Sequence, residues 1–325
     1  MSKSTIAIMT SGGDVPGLNP AIRAAVRAST YYGYEVIGIQ RGYEGLIDGD
    51  FVPLHAGSVS NIISNGGTIL KSSRSERFKE EKYRKIAYEQ LYAQGIEHLI
   101  LIGGDGSMRG ADIVAQESTI NVIGIPKTID NDISGTDDSI GFDTAINIAM
   151  EAVDRIRDTA KSHHRLFFVE VMGRNAGYIA YNTGIATGAE GIIIPETQRD
   201  LQLLYDVIEH KKSWKDSSYI VVVAEGDEAG GAYQLEKIIN QKYPSIHTGV
   251  TILGHIQRGG SPTCRDRVLA TKLGVGAVEA IHNGLKNVMA GAVHHRIHYT
   301  PLKDVKNRPL VIDHQVIEML KILSK

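Results

Sequence analysis

Short apolar runs alternate with amphipathic stretches along almost the whole chain. The runs Thr5–Met9, Glu35–Ile39, His98–Ile102, Asn121–Ile125, Leu166–Val171, Gly191–Ile194, Tyr219–Ala224 and Val250–Leu253 predict strands. Helical spacing over Pro20–Tyr31, Glu80–Gln94, Ser107–Glu117, Phe142–Ala160 and Pro262–Asn283 predicts helices between them. Near-continuous apolar strands alternating with helices predict an α/β fold, with largely parallel sheets covered on both faces. In such sheets ligands gather at the carboxyl ends of the strands. Here several strands run directly into polar or glycine-rich loops.

Composition sharpens this picture. The 325 residues are 42% hydrophobic, enough for two domains or one large α/β unit. The net charge of −2 is spread along the chain, which argues against a nucleic-acid binder. Apolar runs such as Ile192–Pro195 and Ile220–Ala224 are too short to cross a bilayer. The N-terminus enters a strand at Thr5 without a signal-peptide pattern, so a cytoplasmic location is expected. The single Cys264 excludes an intrachain disulfide and fits a reducing compartment. The charge run Lys79–Lys85 and the basic run His210–Lys215 read as solvated helix faces. The 35 glycines cluster after apolar runs, as working loops do.

Three loops draw the chemistry. TSGGDVPGLNPAIRAAVR, residues 10–27, offers Gly12, Gly13 and Gly17 for close backbone approach, with Pro20 in the first turn of a helix whose N-terminus favours an anion. A plain tight turn would look the same, and neither G-x-G-x-x-G nor the P-loop pattern is matched. LILIGGDGSMRGA, residues 99–111, surrounds Asp105 with glycines, which suits phosphates and Mg²⁺; helix capping by Asp105 or Ser107 is the alternative. NVIGIPKTIDNDISGTDDSIGFDTA, residues 121–145, puts Lys127, Thr128, Asp130, Asn131 and Asp132 after a strand. In an extended loop Asp130 and Asp132 point the same way, so one could serve a metal and the other take a proton, with Lys127 countering negative charge. An Asx-rich turn remains open. Arg165, VMGRNAG with Arg174, and LGHIQRGGSP with His255 and Arg258 add cations near strand ends. Together these loops describe a site for a multiply anionic substrate and Mg²⁺.

In their order and spacing, TSGGDVPGLN, IGGDGS, PKTIDND, VMGRNAG and LGHIQRGGSP resemble the phosphofructokinase family, over about residues 5–300. The resemblance implies two Rossmann-like three-layer α/β/α domains with largely parallel sheets. Residues 1–140 plus 257–303 would form a nucleotide (ATP/Mg) domain, and 141–256 plus 304–325, with a C-terminal helix, a sugar-phosphate domain. The implied reaction is glycolytic: phosphoryl transfer from ATP to the 1-hydroxyl of fructose 6-phosphate, with Mg²⁺, in a cleft that closes against water. A cytoplasmic homotetramer with shared active sites is implied, with no nucleic-acid or membrane partner. By motif position, Asp130 is the general base, Asp105 the metal ligand, and Asp132 lies beside the moving phosphate. Thr128 and Arg174 touch the transferring group or the sugar phosphate. Gly13, Tyr43, Arg74, Ser75, Gly104, Asp105, Gly106 and Ser107 line the nucleotide site. Met172, Gly173, Glu225, His255 and Arg258 line the sugar site, together with Thr128, Asp130 and Arg174. Arg165 reaches the 6-phosphate from a neighbouring subunit.

The donor rests on two positions. Gly106 resembles ATP-dependent members, where an aspartate marks pyrophosphate users; a carboxylate there would crowd and repel the α-phosphate of ATP. Lys127 resembles the pyrophosphate users, and Lys71 stands where a small residue is common. Removing a steric block outweighs one mobile charge, so ATP is expected, with a pyrophosphate-dependent phosphotransferase as the alternative. A non-catalytic nucleotide-binding paralogue would not need Asp105, Asp130 and Asp132, and an oxidoreductase would need G-x-G-x-x-G after a strand.

Two departures from the family follow. Gly249 replaces an arginine that clamps the 6-phosphate, a loss of roughly 1.5–3 kcal/mol. Weaker sugar-phosphate affinity is expected unless His247 compensates, and Gly249→Arg should restore it. A residual effector site for ADP and phosphoenolpyruvate keeps Arg23, Arg27, Arg157 and the metal-binding Glu190. It loses an arginine at Ala56 and a lysine cluster at Trp214, Asp216, Ser217 and Ser218, so a weak response is expected.

Overall fold

Two largely parallel sheets organise the chain in the computed structural model, which describes residues 4–163, 165–197, 200–210, 219–226 and 230–311. Residues 211–215 of the basic run, the positions Trp214 and Asp216–Ser218, and the stretch beyond residue 311 where a C-terminal helix was expected lie outside the described residues. The described chain falls into two compact units. The larger comprises parts of Met1–Ile129, Ile133–Asp143 and Arg258–Arg308; the smaller comprises parts of Asp130–Asp132, Thr144–Gln257 and Pro309–Lys325.

The larger unit begins with β1 (Thr5–Thr10), α1 (Leu18–Tyr31), β2 (Glu35–Ile39), α2 (Gly42–Asp48) and β3 (Phe51–Leu54). It continues through α3 (Glu81–Ala93), β4 (Ile96–Gly103), α4 (Asp105–Glu117) and β5 (Asn121–Pro126). After the excursion into the smaller unit come α9 (Cys264–His282), β10 (Val288–Val293) and β11 (Arg296–Pro301). Its sheet runs β11-β10-β5-β4-β1-β2-β3. The inner strands are parallel, while β3 and β11 are antiparallel to their neighbours at the two edges. β1 and β5 are buried along their whole length. Ala7, Met9, Leu99, Leu101 and Val122 pack with α2, α3 and α4 on one face. On the other face α1 and α9 pack together. Gly274 permits their approach, since a Cβ there would lie 2.6 Å from the Ala21 carbonyl oxygen.

The smaller unit is built from α5 (Phe142–His163), β6 (Leu166–Val171), α6 (Tyr178–Thr187), β7 (Gly191–Ile193), α7 (Asp200–His210), β8 (Tyr219–Ala224), α8 (Gly231–Lys242) and β9 (Thr248–Ile252). Its sheet, β7-β8-β6-β9, is parallel throughout. Phe168, Val221 and Val223 pack with Leu235 and Ile239 of α8 in its core. All eight strands expected from the pattern form, β9 two residues earlier than expected. The five helices named from the pattern form as α1, α3, α4, α5 and α9, whereas α2, α6, α7, α8, β3, β10 and β11 were not named. β3 is four residues long and contains Pro53, which an edge strand tolerates. β10 and β11 form a hairpin whose turn uses His294 and His295 at φ 49° and 64°, without the Asn-Gly or Asp-Gly signal that marks such turns. In the run Lys79–Lys85 the three lysines are exposed and paired nearby, Lys79 with Glu76, Lys82 with Glu80 and Lys85 with Glu81, whereas Arg84 is half-buried and pairs with Glu117 of α4.

His98 on β4 is half-buried, and burial holds its imidazole below the usual 6.5. The Asn121 amide nitrogen, which also donates to the Leu285 carbonyl, lies 3.3 Å from the His98 Nδ1. The folded chain therefore keeps this ring neutral at pH values where the unfolded chain protonates it. Stability is retained above about pH 6.5 and falls as the pH drops below it. Urea unfolding of His98→Asn at pH 7.5 and 5.5 is expected to show a smaller loss of stability on acidification than the parent chain.

Candidate active site

The loops after β1, β4 and β5 meet at the carboxyl end of the larger sheet. Backbone bonds join them: Ser11 N–H donates to the Ile102 carbonyl at 3.0 Å, and Lys127 N–H donates to the Gly103 carbonyl at 3.0 Å. Ser107 Oγ donates to Ser11 Oγ at 3.0 Å. A fourth segment, Thr68–Arg74, closes over the first loop: Gly12 N–H donates to the Ser73 carbonyl at 3.2 Å, and Ser72 Oγ donates to the Gly12 carbonyl at 2.6 Å. Beneath them lies Lys127, only 3% exposed, whose ammonium donates to the Gly13 carbonyl. Gly12, Gly13, Asp14, Thr68, Lys71, Ser72, Ser73 and Arg74 line a cavity of about 510 Å³. A Cβ at Gly13 would lie 2.8 Å from Arg258 Nη1, so this guanidinium sits against the loop. Arg258, expected on the sugar phosphate, thus lies in the larger unit beside the first glycine loop.

Asp105 opens α4. The preceding Gly104 has an extended backbone, and the helix start has no side-chain cap, so neither Asp105 nor Ser107 is spent on capping. Asp105 accepts from Arg109 Nη1 at 2.8 Å. No cluster of three or more His, Cys, Asp or Glu capable of holding a metal exists among the described residues. One carboxylate in the first turn of a helix, beside glycines, nonetheless fits Mg²⁺, which takes one or two protein carboxylates and fills its shell with phosphate oxygens and water. A Cβ at Gly106 would meet only Arg109 Nη2, at 3.7 Å. The space before this residue is open.

Tyr43, expected to line the nucleotide site, is buried. Its ring stacks on Phe78 at 4.0 Å, and its hydroxyl donates to the Ser107 carbonyl at 2.9 Å. Burial drives its phenol far above the usual range. Gly110 makes room for it, since a Cβ would lie 2.7 Å from the Tyr43 oxygen. Tyr43 therefore fixes the glycine loop from beneath. Ser75 Oγ accepts from Phe78 N–H at 3.0 Å and organises the turn after the exposed Arg74. The sequence reading missed Gly110, Thr68, Ser72 and Ser73; the repeated hydroxyls beside Arg74 were the available signal.

In the smaller unit, Asp130 is buried and Asp132 half-buried. Asn131 between them has φ 52°, so the segment turns there. The expectation of an extended loop is corrected: asparagine tolerates the left-handed region, and the chain turns between the two carboxylates. Thr128, in the larger unit, is tied back by Ser139 Oγ, which donates to its carbonyl at 2.6 Å. The loop after β6 holds Met172, Gly173 at φ 146° and Arg174 at φ 52°. Met172 N–H donates to Gln257 Oε1 at 2.9 Å, and Arg174 N–H to Glu225 Oε1 at 3.0 Å. A Cβ at Gly226 would lie 1.7 Å from the Arg174 carbonyl oxygen. Gln257 and Gly226 thus shape this loop, and the sequence reading assigned neither. Arg165 and His255 are exposed.

Two further positions gain a physical context. Gly249 faces Phe167 across the β6–β9 pair, and a Cβ there would lie 2.7 Å from the ring. Phe167 fills the space an arginine's stem would need. Arg157 bonds Glu190 Oε1 at 3.2 Å and the carbonyls of Thr187 and Gly188 at 3.0 Å each, while Glu190 also accepts from Ile220 N–H at 2.8 Å. Arg23 and Arg27 lie on α1, half-buried and exposed. Ala56 is exposed just after β3.

Parallel α/β units with glycine loops gathered at the strand ends, one around a cavity with two cationic residues, define a protein that handles phosphorylated small molecules. The chain belongs to the phosphofructokinase family, whose model, described as "Phosphofructokinase", matches residues 5–281. It is 51% identical over 98% of its length, and 99% of the relative's, to "ATP-dependent 6-phosphofructokinase 1" of Thermus thermophilus. It is 49% identical, over 98% of each chain, to "ATP-dependent 6-phosphofructokinase 2" of Bacteroides thetaiotaomicron. Among solved structures it is similar to Pichia pastoris phosphofructokinase in the T-state, with a TM-score of 0.86 and 34% identity over 99% of this chain and 36% of that one. The Saccharomyces cerevisiae structure gives 0.87 and 32% over 98% of this chain and 45% of that one, so this chain spans less than half of each yeast chain. No helix among the described residues is long and apolar enough to cross a membrane.

The Phe167 contact changes the expectation for Gly249. Gly249→Arg alone should destabilise the chain by about 1–3 kcal/mol through overpacking, read as a lower urea midpoint. Combining it with Phe167→Ser should recover stability and lower the KM for the sugar phosphate. Separately, Tyr43→Phe should cost about 1 kcal/mol in urea unfolding through loss of the buried hydrogen bond to the Ser107 carbonyl.

Proposed function

We propose that the chain transfers the terminal phosphoryl group of ATP to the 1-hydroxyl of fructose 6-phosphate, giving ADP and fructose 1,6-bisphosphate. The observation that carries this reading is the full-length identity to ATP-dependent 6-phosphofructokinases, at about half of all positions. Asp130 is the general base. Its carboxylate takes the hydroxyl proton as the new O–P bond forms and the bond from the γ-phosphorus to the bridging oxygen of ADP breaks. Asp132 lies beside the moving group, and Thr128 and Arg174 bind it or the sugar phosphate. Met172, Gly173, Glu225, His255 and Arg258 serve the sugar phosphate, while Gly13, Arg74, Ser75, Gly104, Gly106 and Ser107 serve the nucleotide, with Tyr43 as their support. The larger unit is the nucleotide domain and the smaller the sugar-phosphate domain. Asp105 would hold Mg²⁺, which neutralises phosphate charge when bound.

The open space at Gly106 supports ATP over pyrophosphate. So does the placement of Lys127, whose ammonium is buried on the Gly13 carbonyl. The chain works as a homotetramer, in which the exposed Arg165 reaches a neighbour's 6-phosphate. Response to ADP and phosphoenolpyruvate is weak, because Arg157 is already bound by Glu190 and two carbonyls.

A coupled assay should show turnover with ATP, fructose 6-phosphate and Mg²⁺, none after chelation of the metal, and little with pyrophosphate in place of ATP. Turnover with pyrophosphate alone would reverse the donor assignment. Asp130→Asn should lower kcat by about a thousandfold or more while fructose 6-phosphate binding by calorimetry changes little. Retained turnover would remove Asp130 from its role.

A further inference from the structure

The backbone at Lys71 has φ 55°, in the left-handed region that glycine enters freely and lysine does not. The conformation is held from both sides. Thr10 Oγ1 donates to the Lys71 carbonyl at 2.6 Å, and Lys71 N–H donates to the Thr68 carbonyl at 3.1 Å. Arg41 N–H fixes the preceding residue through the Leu70 carbonyl at 2.9 Å. A glycine would serve this turn with less strain, so the turn itself does not call for a lysine. What the lysine adds is its side chain, and Lys71 is among the residues that line the cavity, beside Gly12, Gly13 and Arg74. Among the described residues it makes no ion pair, whereas Lys79, Lys82 and Lys85 each do. The other lysine of this region, Lys127, lies under the floor on the Gly13 carbonyl.

We propose that Lys71 is a donor-binding residue, whose ammonium contacts the phosphate chain of the phosphoryl donor. The ligand class is a polyphosphate chain, whether carried by a nucleoside or free. Lys71 and Arg74, three positions apart, give the cavity two positive groups against the single carboxylate of Asp14. Strain in the main chain is tolerated because it aims a charge where the donor's phosphates lie. This inference rests on the phosphoryl-transfer reading above.

Two substitutions separate charge from backbone. Lys71→Met keeps the Cβ and the stem but removes the charge; Lys71→Gly removes both charge and strain. Both should raise the KM for ATP by about five- to tenfold, leave the KM for fructose 6-phosphate within about twofold, and weaken competition by inorganic tripolyphosphate in the same proportion. The thermal midpoint of Lys71→Gly should not fall, so the effect cannot come from unfolding. An unchanged KM for ATP in Lys71→Met, or an effect confined to Lys71→Gly, would overturn the proposal. If the parent chain shows no turnover with ATP, the functional reading fails instead, and calorimetric titration of tripolyphosphate into the parent chain and Lys71→Met still decides the role of Lys71. Weaker binding to the variant supports it; equal binding, or none to either, overturns it.

Discussion

A buried ammonium holds the phosphate side of the site in place. Lys127 directly follows β5, is almost wholly removed from water, and donates a hydrogen bond to the Gly13 carbonyl. An ammonium in such a place is costly unless it is bonded. Its bond therefore fixes the first glycine loop relative to the strand two positions away in the sheet. The main chain repeats the tie through Lys127 N–H and the Gly103 carbonyl, and the serine pair Ser11–Ser107 closes the triangle. Loops that would each be mobile alone become one surface, and glycine N–H groups on that surface hold their directions before a ligand arrives.

The parallel sheet makes this arrangement possible. Strands β1, β4 and β5 end at one edge, so three loops distant in sequence become neighbours there. The antiparallel strands β3 and β11 sit at the outer edges and leave this meeting point undisturbed. In the smaller unit the same logic operates with different parts. β6 and β8 end side by side, so the Arg174 loop leans on Glu225 and Gly226, while Gln257 holds Met172.

Much of this was legible in the chain because it is local. Apolar runs such as Asn121–Ile125 announce buried strands, and glycines directly after them announce loops that need close approach. The missed pieces depend on partners remote in sequence. β10 reads as Val-Met-Ala-Gly-Ala-Val, without alternation, and becomes a strand only against β5 and β11. The enclosure of Tyr43 by Phe78 and Gly110 is likewise announced by nothing local in the chain. The spacing of Asp130 and Asp132 suggested parallel carboxylates, but spacing carries no dihedral angle, and Asn131 turns the chain. Gly106 and Lys127 illustrate the limit well: the residue types were plain, but whether the lysine faced a ligand or a carbonyl was not.

The Gly249–Phe167 pair has a historical reading. Each residue occupies the volume that the other gives up, so the two positions form a lock with a preferred order of opening. A chain that acquired a bulky cation at 249 would first have to shrink the aromatic at 167, passing through an intermediate that lacks both side chains. The reverse order passes through a collision instead. A feature that looks like a simple missing charge is therefore a ratchet, and descendants of this chain are expected to vary at both positions or at neither.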